Sequence, residues 1–180
     1  MKDTELRLIC ELMKNGRRSD RELSKAIGSS QPTVSRMIKR LEKEGIIKEY
    51  TVIPDFRKLG FEIAAVTFIR FIRELSDEER KELRKYSGGA EKGRSEAILM
   101  AMNGMGLGYD HVFISFHKDY TSYVKTVNEI RKFPYFDPSH LDSFLIDLTD
   151  ERHFQPLTLS VIANYLLKTK EEKLQLNLSN

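Results

Sequence analysis

The sequence has a single cysteine, Cys10, among 180 residues. An intrachain disulfide is therefore excluded, and a reducing compartment, the cytoplasm, is the expected setting. Long apolar runs are missing as well. No stretch approaches the roughly 20 residues that a membrane-spanning helix needs, so no membrane partner is expected. The opening MKDTELRL is too acidic, and its apolar run too short, for a signal peptide. Histidine is scarce, the four being His111, His117, His140 and His153. No Cys-x-x-Cys or His-x-x-x-His spacing occurs, so no structural zinc site is expected, and no other cofactor either. His111 and His117 stand roughly 20 Å apart on one expected strand, too far to share a metal within one chain. Internal repeats and low-complexity segments are absent too.

What remains is the balance of a folded globular protein, with 32% charged and 40% hydrophobic residues, in a chain long enough for one large domain or two small ones. The charge is unevenly spread. Residues 1–60 hold 14 Lys+Arg against 9 Asp+Glu, whereas residues 61–180 hold 16 against 18. A basic first third beside a slightly acidic remainder points to a nucleic-acid module joined to a domain of another kind.

The stretch Ser19 to Tyr50 organises that first third. Ser19 and Glu22 have capping-box spacing, and Leu23, Ala26 and Ile27 form an apolar stripe that stops at Gly28. Ser29 and Ser30 offer the next cap, and Pro32 falls in a first turn, where its missing N–H costs nothing. This second helix runs to about Glu44, with Val34, Ile38 and Leu41 inward, and Gly45 ends it. Its open side carries Gln31, Thr33, Arg36, Lys39 and Arg40, a mixture of base-edge readers and phosphate binders. A helix so furnished, held across a preceding helix, fits a major groove. The same face would also serve as the solvated side of an ordinary bundle. An earlier helix over residues 4–15 brings Leu6, Leu8, Ile9, Leu12 and Met13, with Cys10 as a small buried hydrophobe. Arg17 and Arg18 lead into the pair, as phosphate contacts or as solvated loop charges. Ile46 to Ile53 is rich in β-formers and is expected to form the strand of a wing, from which Lys48 and Tyr50 would reach the backbone of DNA.

Pro54-Asp55 breaks that strand, and the expected domains are 1–54, a connector 55–60, a second domain 61–150 and an extension 151–180. In the second domain the period becomes two. Ile63 to Ile72 is apolar on both faces, so both faces need cover. One set is Ile63, Ala65, Ile69 and Phe71, the other Ala64, Val66, Phe68 and Ile72. Ser76 with Glu79 opens a helix from about Asp77 to Tyr86. A loop from Gly88-Gly89 to Gly93 follows, then a strand from Ala97 to Met102, a glycine-rich turn from Asn103 to Gly108 and a strand from Tyr109 to His117. Asp119 caps a further helix that Pro134 stops. Tyr135 to His140 is expected to be a loop, and Leu141 to Leu148 the last strand. The order strand, helix, strand, strand, helix, strand is the ferredoxin-like split arrangement. In the tail, Leu159, Ile162, Ala163 and Leu166 fit a helix, while Leu174, Leu176 and Leu178 alternate like an edge strand. Either element would serve as an arm between protomers, or the end is frayed.

Gly104, Gly106 and Gly108 lead into a strand and not a helix, which argues against a phosphate cradle. Asp110 would accept a ligand's ammonium or cap its own loop.

Taken together, Ile9, Leu12, Arg17, Ser19, Leu23, Gly28, Ser30, the run Pro32-Thr33-Val34-Ser35-Arg36, Leu41, Glu42, Gly45-Ile46-Ile47, Asp55 and Leu59-Gly60 resemble the Lrp/AsnC, or feast/famine, family of prokaryotic transcription regulators. Gly108-Tyr109-Asp110 is similar to the Gly-x-x-Asp of that family's effector domain, one residue shorter. The resemblance implies an α+β fold, an N-terminal winged helix-turn-helix followed by a ferredoxin-like βαββαβ effector domain, here with a C-terminal extension. It implies double-stranded DNA as partner, a homodimer whose sheets face one another, assemblies up to octamers, and a small-molecule effector such as an amino acid. Carried over, the effector site is Met102, Asn103, Gly104, Gly108, Tyr109 and Asp110, in a loop longer and richer in glycine than the family's usual turn. The expected DNA contacts are Arg17, Ser30, Gln31, Thr33, Arg36, Lys39, Arg40, Lys48 and Tyr50. No catalytic residue is expected. The alternatives are an enzyme of the same architecture, like the sirohaem decarboxylases, and a small-molecule sensor that does not bind DNA.

Overall fold

The computed structural model describes residues 1–87, 97–152 and 157–178. The expected Gly88–Gly93 loop and His153 lie outside them. The chain divides into two compact units. One combines residues 1–53 with the described C-terminal segment 157–178, and the other holds residues 54–152.

The helical unit opens with α1 (Asp3–Lys14), α2 (Asp20–Ile27) and α3 (Gln31–Lys43). Local chemistry sets each boundary. The Ser19 N–H donates to Glu22 Oε2 at 2.8 Å, and the Glu22 N–H donates back to Ser19 Oγ at 3.3 Å. Gly28 ends α2 with φ of 68°, a backbone that side chains with a Cβ rarely adopt. Ser30 caps α3, accepting from the Thr33 N–H, with Pro32 in the first turn. Leu8, Leu23, Ile27, Val34 and Leu41 form the buried cluster, with Ile9, Leu12, Met37, Ile38 and Ile47 around it.

The expected wing strand over Ile46–Ile53 does not form. The cause lies at the end of α3. Gly45 N–H donates to the Glu42 carbonyl at 3.0 Å, and the Ile46 and Ile47 N–H groups both donate to the Leu41 carbonyl, at 2.9 and 3.1 Å. Those donors close the helix in a Schellman arrangement, and no strand among the described residues pairs with those that follow.

The tail also differs from expectation. A single helix, α6 (Ser160–Leu178), replaces the helix-or-strand alternative, so Leu174, Leu176 and Leu178 are helical. Its inward side is Ala163, Leu166, Leu167 and Lys170, a spacing of three and four, whereas Ile162 is exposed. α6 packs along α1, and Lys170 Nζ pairs with Asp3 Oδ1 at 2.5 Å. Cys10 and Ala163 are both wholly buried.

In the second unit a 3-10 turn (Arg57–Leu59) leads to β1 (Ile63–Phe71), α4 (Asp77–Ser87), β2 (Ala97–Gly106), β3 (Tyr109–His117), α5 (Tyr120–Arg131) and β4 (Phe136–Asp147). The strands order β2-β3-β1-β4, every pair antiparallel, which is the ferredoxin-like arrangement. Two boundaries move. β2 continues through Asn103 and Gly104 to Gly106, leaving only Leu107-Gly108 as the turn. β4 starts at Phe136 within the expected loop, because Phe136 pairs with Phe71 before a register shift lets Leu141 pair with Ile69. The residues between fold on themselves, with Asp137 accepting from the Ser139 N–H at 3.0 Å and lying 2.8 Å from His140 Nδ1.

Ile69, Phe113, Val127, Phe136 and Leu141 make the core between sheet and helices, backed by Leu83 of α4 and by Tyr123 and Ile130 of α5. The opposite face of the sheet carries Val66, Phe68, Val112, Ile114, Met100, Met102, Phe144 and Ile146 by register. Phe144 there is 68% exposed and Met102 54%. One end of that face is covered from within the unit, where Phe56 stacks on Phe116 with ring centroids 4.2 Å apart.

Candidate functional site

The outward side of α3 is built by its own cap. Ser30 Oγ and Thr33 Oγ1 lie 2.8 Å apart, and Arg36 lies back along the helix, its Nε donating to the Pro32 carbonyl at 3.3 Å and its Nη2 to Thr33 Oγ1 at 3.5 Å. Gln31, Arg36 and Lys39 are exposed, and Thr33 is half-buried. The helix N-terminus adds a positive partial charge beside these groups. The result is a cationic, hydrogen-bonding ridge on a helix whose opposite side is locked in the core.

Two expected DNA contacts are engaged elsewhere in the helical unit. Arg40 pairs with Glu5, and its Nε lies 3.7 Å from Glu44. Glu5 is nearly buried, and its carboxyl is held below the ordinary range by the Lys2 backbone N–H and by Arg40. Arg40 is therefore a strut between α3 and α1. The Tyr50 hydroxyl donates to Glu42 Oε1 at 3.0 Å, and its pKa is pushed up to about 12, first by burial and then by that carboxylate. Arg17 and Lys48 are exposed. Lys43 was not among the expected contacts. It is exposed one turn beyond Lys39, and the i, i+4 spacing from Lys39 was the available signal.

The six expected effector residues lie along the β2–β3 hairpin, each with its own structural setting. Met102 and Asn103 are strand residues, paired with Val112 and His111. Gly104 is also in β2, and Gly108 turns with φ of 84°. The Tyr109 hydroxyl donates to Asp142, beside the Phe68 ring. The Asp110 carboxylate accepts the Phe71 N–H, at 3.1 and 3.2 Å to its two oxygens, and so caps the end of β1 instead of its own loop.

Behind that hairpin, between sheet and helices, lies a cavity of about 250 Å³. Its apolar wall includes Ile69, Phe71, Leu83, Phe113, Ile130 and Phe136, and its polar lining comprises Asn103, His111, Arg80 and Glu129. Burial lowers the His111 pKa, and its Nδ1 is out of reach of solvent with no partner among the described residues. An unmet buried nitrogen of this kind costs about 1–3 kcal/mol.

A helix-turn-helix with a cationic outer ridge, followed by a βαββαβ domain, defines a two-domain class. Residues 1–48 match the family described as winged helix-turn-helix DNA-binding. The chain is similar to an HTH-type transcriptional regulator of Pyrococcus furiosus, 41% identical over 68 residues, which are 38% of this chain and 45% of that one. It is 42% identical over 62 residues to the regulator LrpC of Bacillus subtilis, covering 34% of this chain and 43% of LrpC. The chain thus spans less than half the length of these relatives. In structure it resembles B. subtilis LrpC (TM-score 0.64, 21% identity, 86% of this chain and 99% of that one). It also resembles the regulator NMB0573 of Neisseria meningitidis, solved as an L-Met complex (TM-score 0.68, 18% identity, 90% and 99%). The chain therefore resembles the Lrp/AsnC transcription regulators, in sequence over its first third and in fold over most of its length. Among the described residues, no helix is long and apolar enough to cross a membrane.

Proposed function

We propose that the protein is a sequence-specific DNA-binding transcription regulator. The observation that carries this reading is the ridge of Gln31, Arg36 and Lys39 on a capped, rigidly packed α3, within a stretch that matches a DNA-binding family. Gln31, Thr33 and Arg36 read base edges in the major groove, and Ser30, Lys39, Lys43, Arg17 and Lys48 hold phosphates. Arg40 and Tyr50, both exposed, are tied to Glu5 and Glu42. Two chains associate through the apolar outer face of the sheet, which sets two α3 helices on half-sites about 34 Å apart. Further assembly of dimers follows the pattern of the resemblance. A small molecule bound by the sheet unit shifts DNA affinity, a coupling of about 1–3 kcal/mol. The relatives' names are those of regulators.

The test is binding to the protein's own promoter region against random DNA, across a salt series. A specific complex roughly 10³-fold tighter or more supports the reading, and its salt slope counts the phosphate contacts. Equal, weak binding to both DNAs overturns it.

A further inference from the structure

The cavity behind the β2–β3 hairpin shares only Met102 and Asn103 with the six residues expected at the effector site. Most of its wall comes from the core side of the sheet and from α4 and α5. Its size sets the scale of an occupant. An engineered apolar cavity of roughly 150 Å³ takes benzene, so about 250 Å³ takes one ring, or a branched chain, with a short polar substituent. The ionic groups in the lining set its charge. Glu129 is already engaged, with Lys132 Nζ 2.6 Å from its Oε1. Arg80 is held more loosely. Its Nε donates to the Leu75 carbonyl at 3.1 Å, but its ion-pair partner Glu74 stands 3.6 Å away with a side chain 91% exposed. The lining thus offers a cation whose ion-pair partner stands off at the surface, beside a glutamate that already has a lysine partner. The His111 ring also lines the cavity, with its unpartnered Nδ1 turned away from any accessible space.

We propose that this cavity binds a small carboxylic acid with an aromatic or branched apolar body, and that Arg80 receives the carboxylate while Phe71, Phe113, Ile130 and Phe136 enclose the body. Planar, forked donors make arginine the fitting receiver for a carboxylate. Only the step from occupancy to control of DNA binding rests on the regulator reading.

The test uses the full chain, titrated with phenylacetate and with 4-methylpentanoate. Binding is followed by calorimetry and at the His111 ring resonances. The neutral 2-phenylethanol and the cationic phenethylamine serve as comparisons. At least one of the two acids is expected to bind one to one and shift the His111 signals, and phenethylamine is not. Arg80→Gln should weaken that acid about tenfold or more while leaving 2-phenylethanol within about twofold. Ala101→Trp, which fills the lining from β2, should abolish both. Absence of binding by both acids overturns the proposal, as does equal binding of phenethylamine or an equal loss of acid and alcohol in Arg80→Gln. The titrations of the unaltered chain decide the case even where a variant fails to fold. DNA affinity is measured separately. Acid binding without specific DNA binding would sink the regulator reading and leave the cavity standing, and the reverse result would do the opposite.

Discussion

The helical unit and the sheet unit dispose of their apolar residues in opposite ways. The helical unit draws Leu8, Leu23, Ile27, Val34 and Leu41 into one buried cluster and turns Arg36, Lys39 and Lys43 outward. The sheet unit fills the space under its helices and still leaves Phe144, Ile146, Met100 and Met102 on its other face. A charged exterior suits a partner made of phosphates, and an apolar sheet face suits a second copy of the same face. The two units therefore teach different lessons about what each is built to meet.

The sharpest way to break that contrast is Phe144→Asp. Burying a phenylalanine contributes about 1.5–3 kcal/mol, and a two-fold axis counts it twice, so roughly 3–6 kcal/mol of association should be lost. Sedimentation should show the mass falling to that of one chain, and an unchanged mass would remove the sheet face as the interface. Next comes Leu41→Ala, wholly buried in the helical cluster, which should cost about 2–5 kcal/mol. Amide exchange should report that loss in the helical unit alone. A matching loss in the sheet unit would mean that the two unfold as one.

Arg36→Ala should leave thermal unfolding and mass unchanged yet weaken the specific DNA complex by about 1–3 kcal/mol. Equal weakening on random DNA would reduce Arg36 to a phosphate contact. The smallest effect compares one device in two places. Both units use a Ser–Glu capping box, but Arg73 grips Glu79 with bonds of 2.7 and 2.8 Å and, with the Ser76 N–H, holds its pKa to about 2, against an ordinary 4.5. Its stabilisation is complete above about pH 4.5 and is lost as pH falls towards 2. Glu22 is lowered by Ser19 without such a fork. On acidification, protection of the Ser19 amide should therefore fade before that of the Ser76 amide.

Features set by neighbours in sequence were legible. Ser19, Gly28, Ser30, Gly45, Ser76 and Asp119 each cap or stop a helix where the residues indicated. The strand order was legible because alternation and turn signals agreed. Features that depend on a distant partner were not. Ile46–Ile53 has strand-forming residues but no partner strand among the described residues. Asp137-Pro138-Ser139 has loop residues, yet Phe136 finds Phe71 and β4 begins there. At the ridge, Arg36 and Lys39 could be read from spacing alone. The commitment of Arg40 to Glu5, and of Asp110 to the end of β1, required the folded chain.

The packing of α6 along α1 has a consequence for synthesis. α1, α2 and α3 leave the ribosome before the sheet unit, and the helix that lies against α1 follows only after that whole unit has been made. At about 5–20 residues per second, that interval is on the order of ten seconds. During it the side of α1 that α6 later covers, with the Asp3 partner of Lys170, stands open to chaperones or to a nascent neighbour.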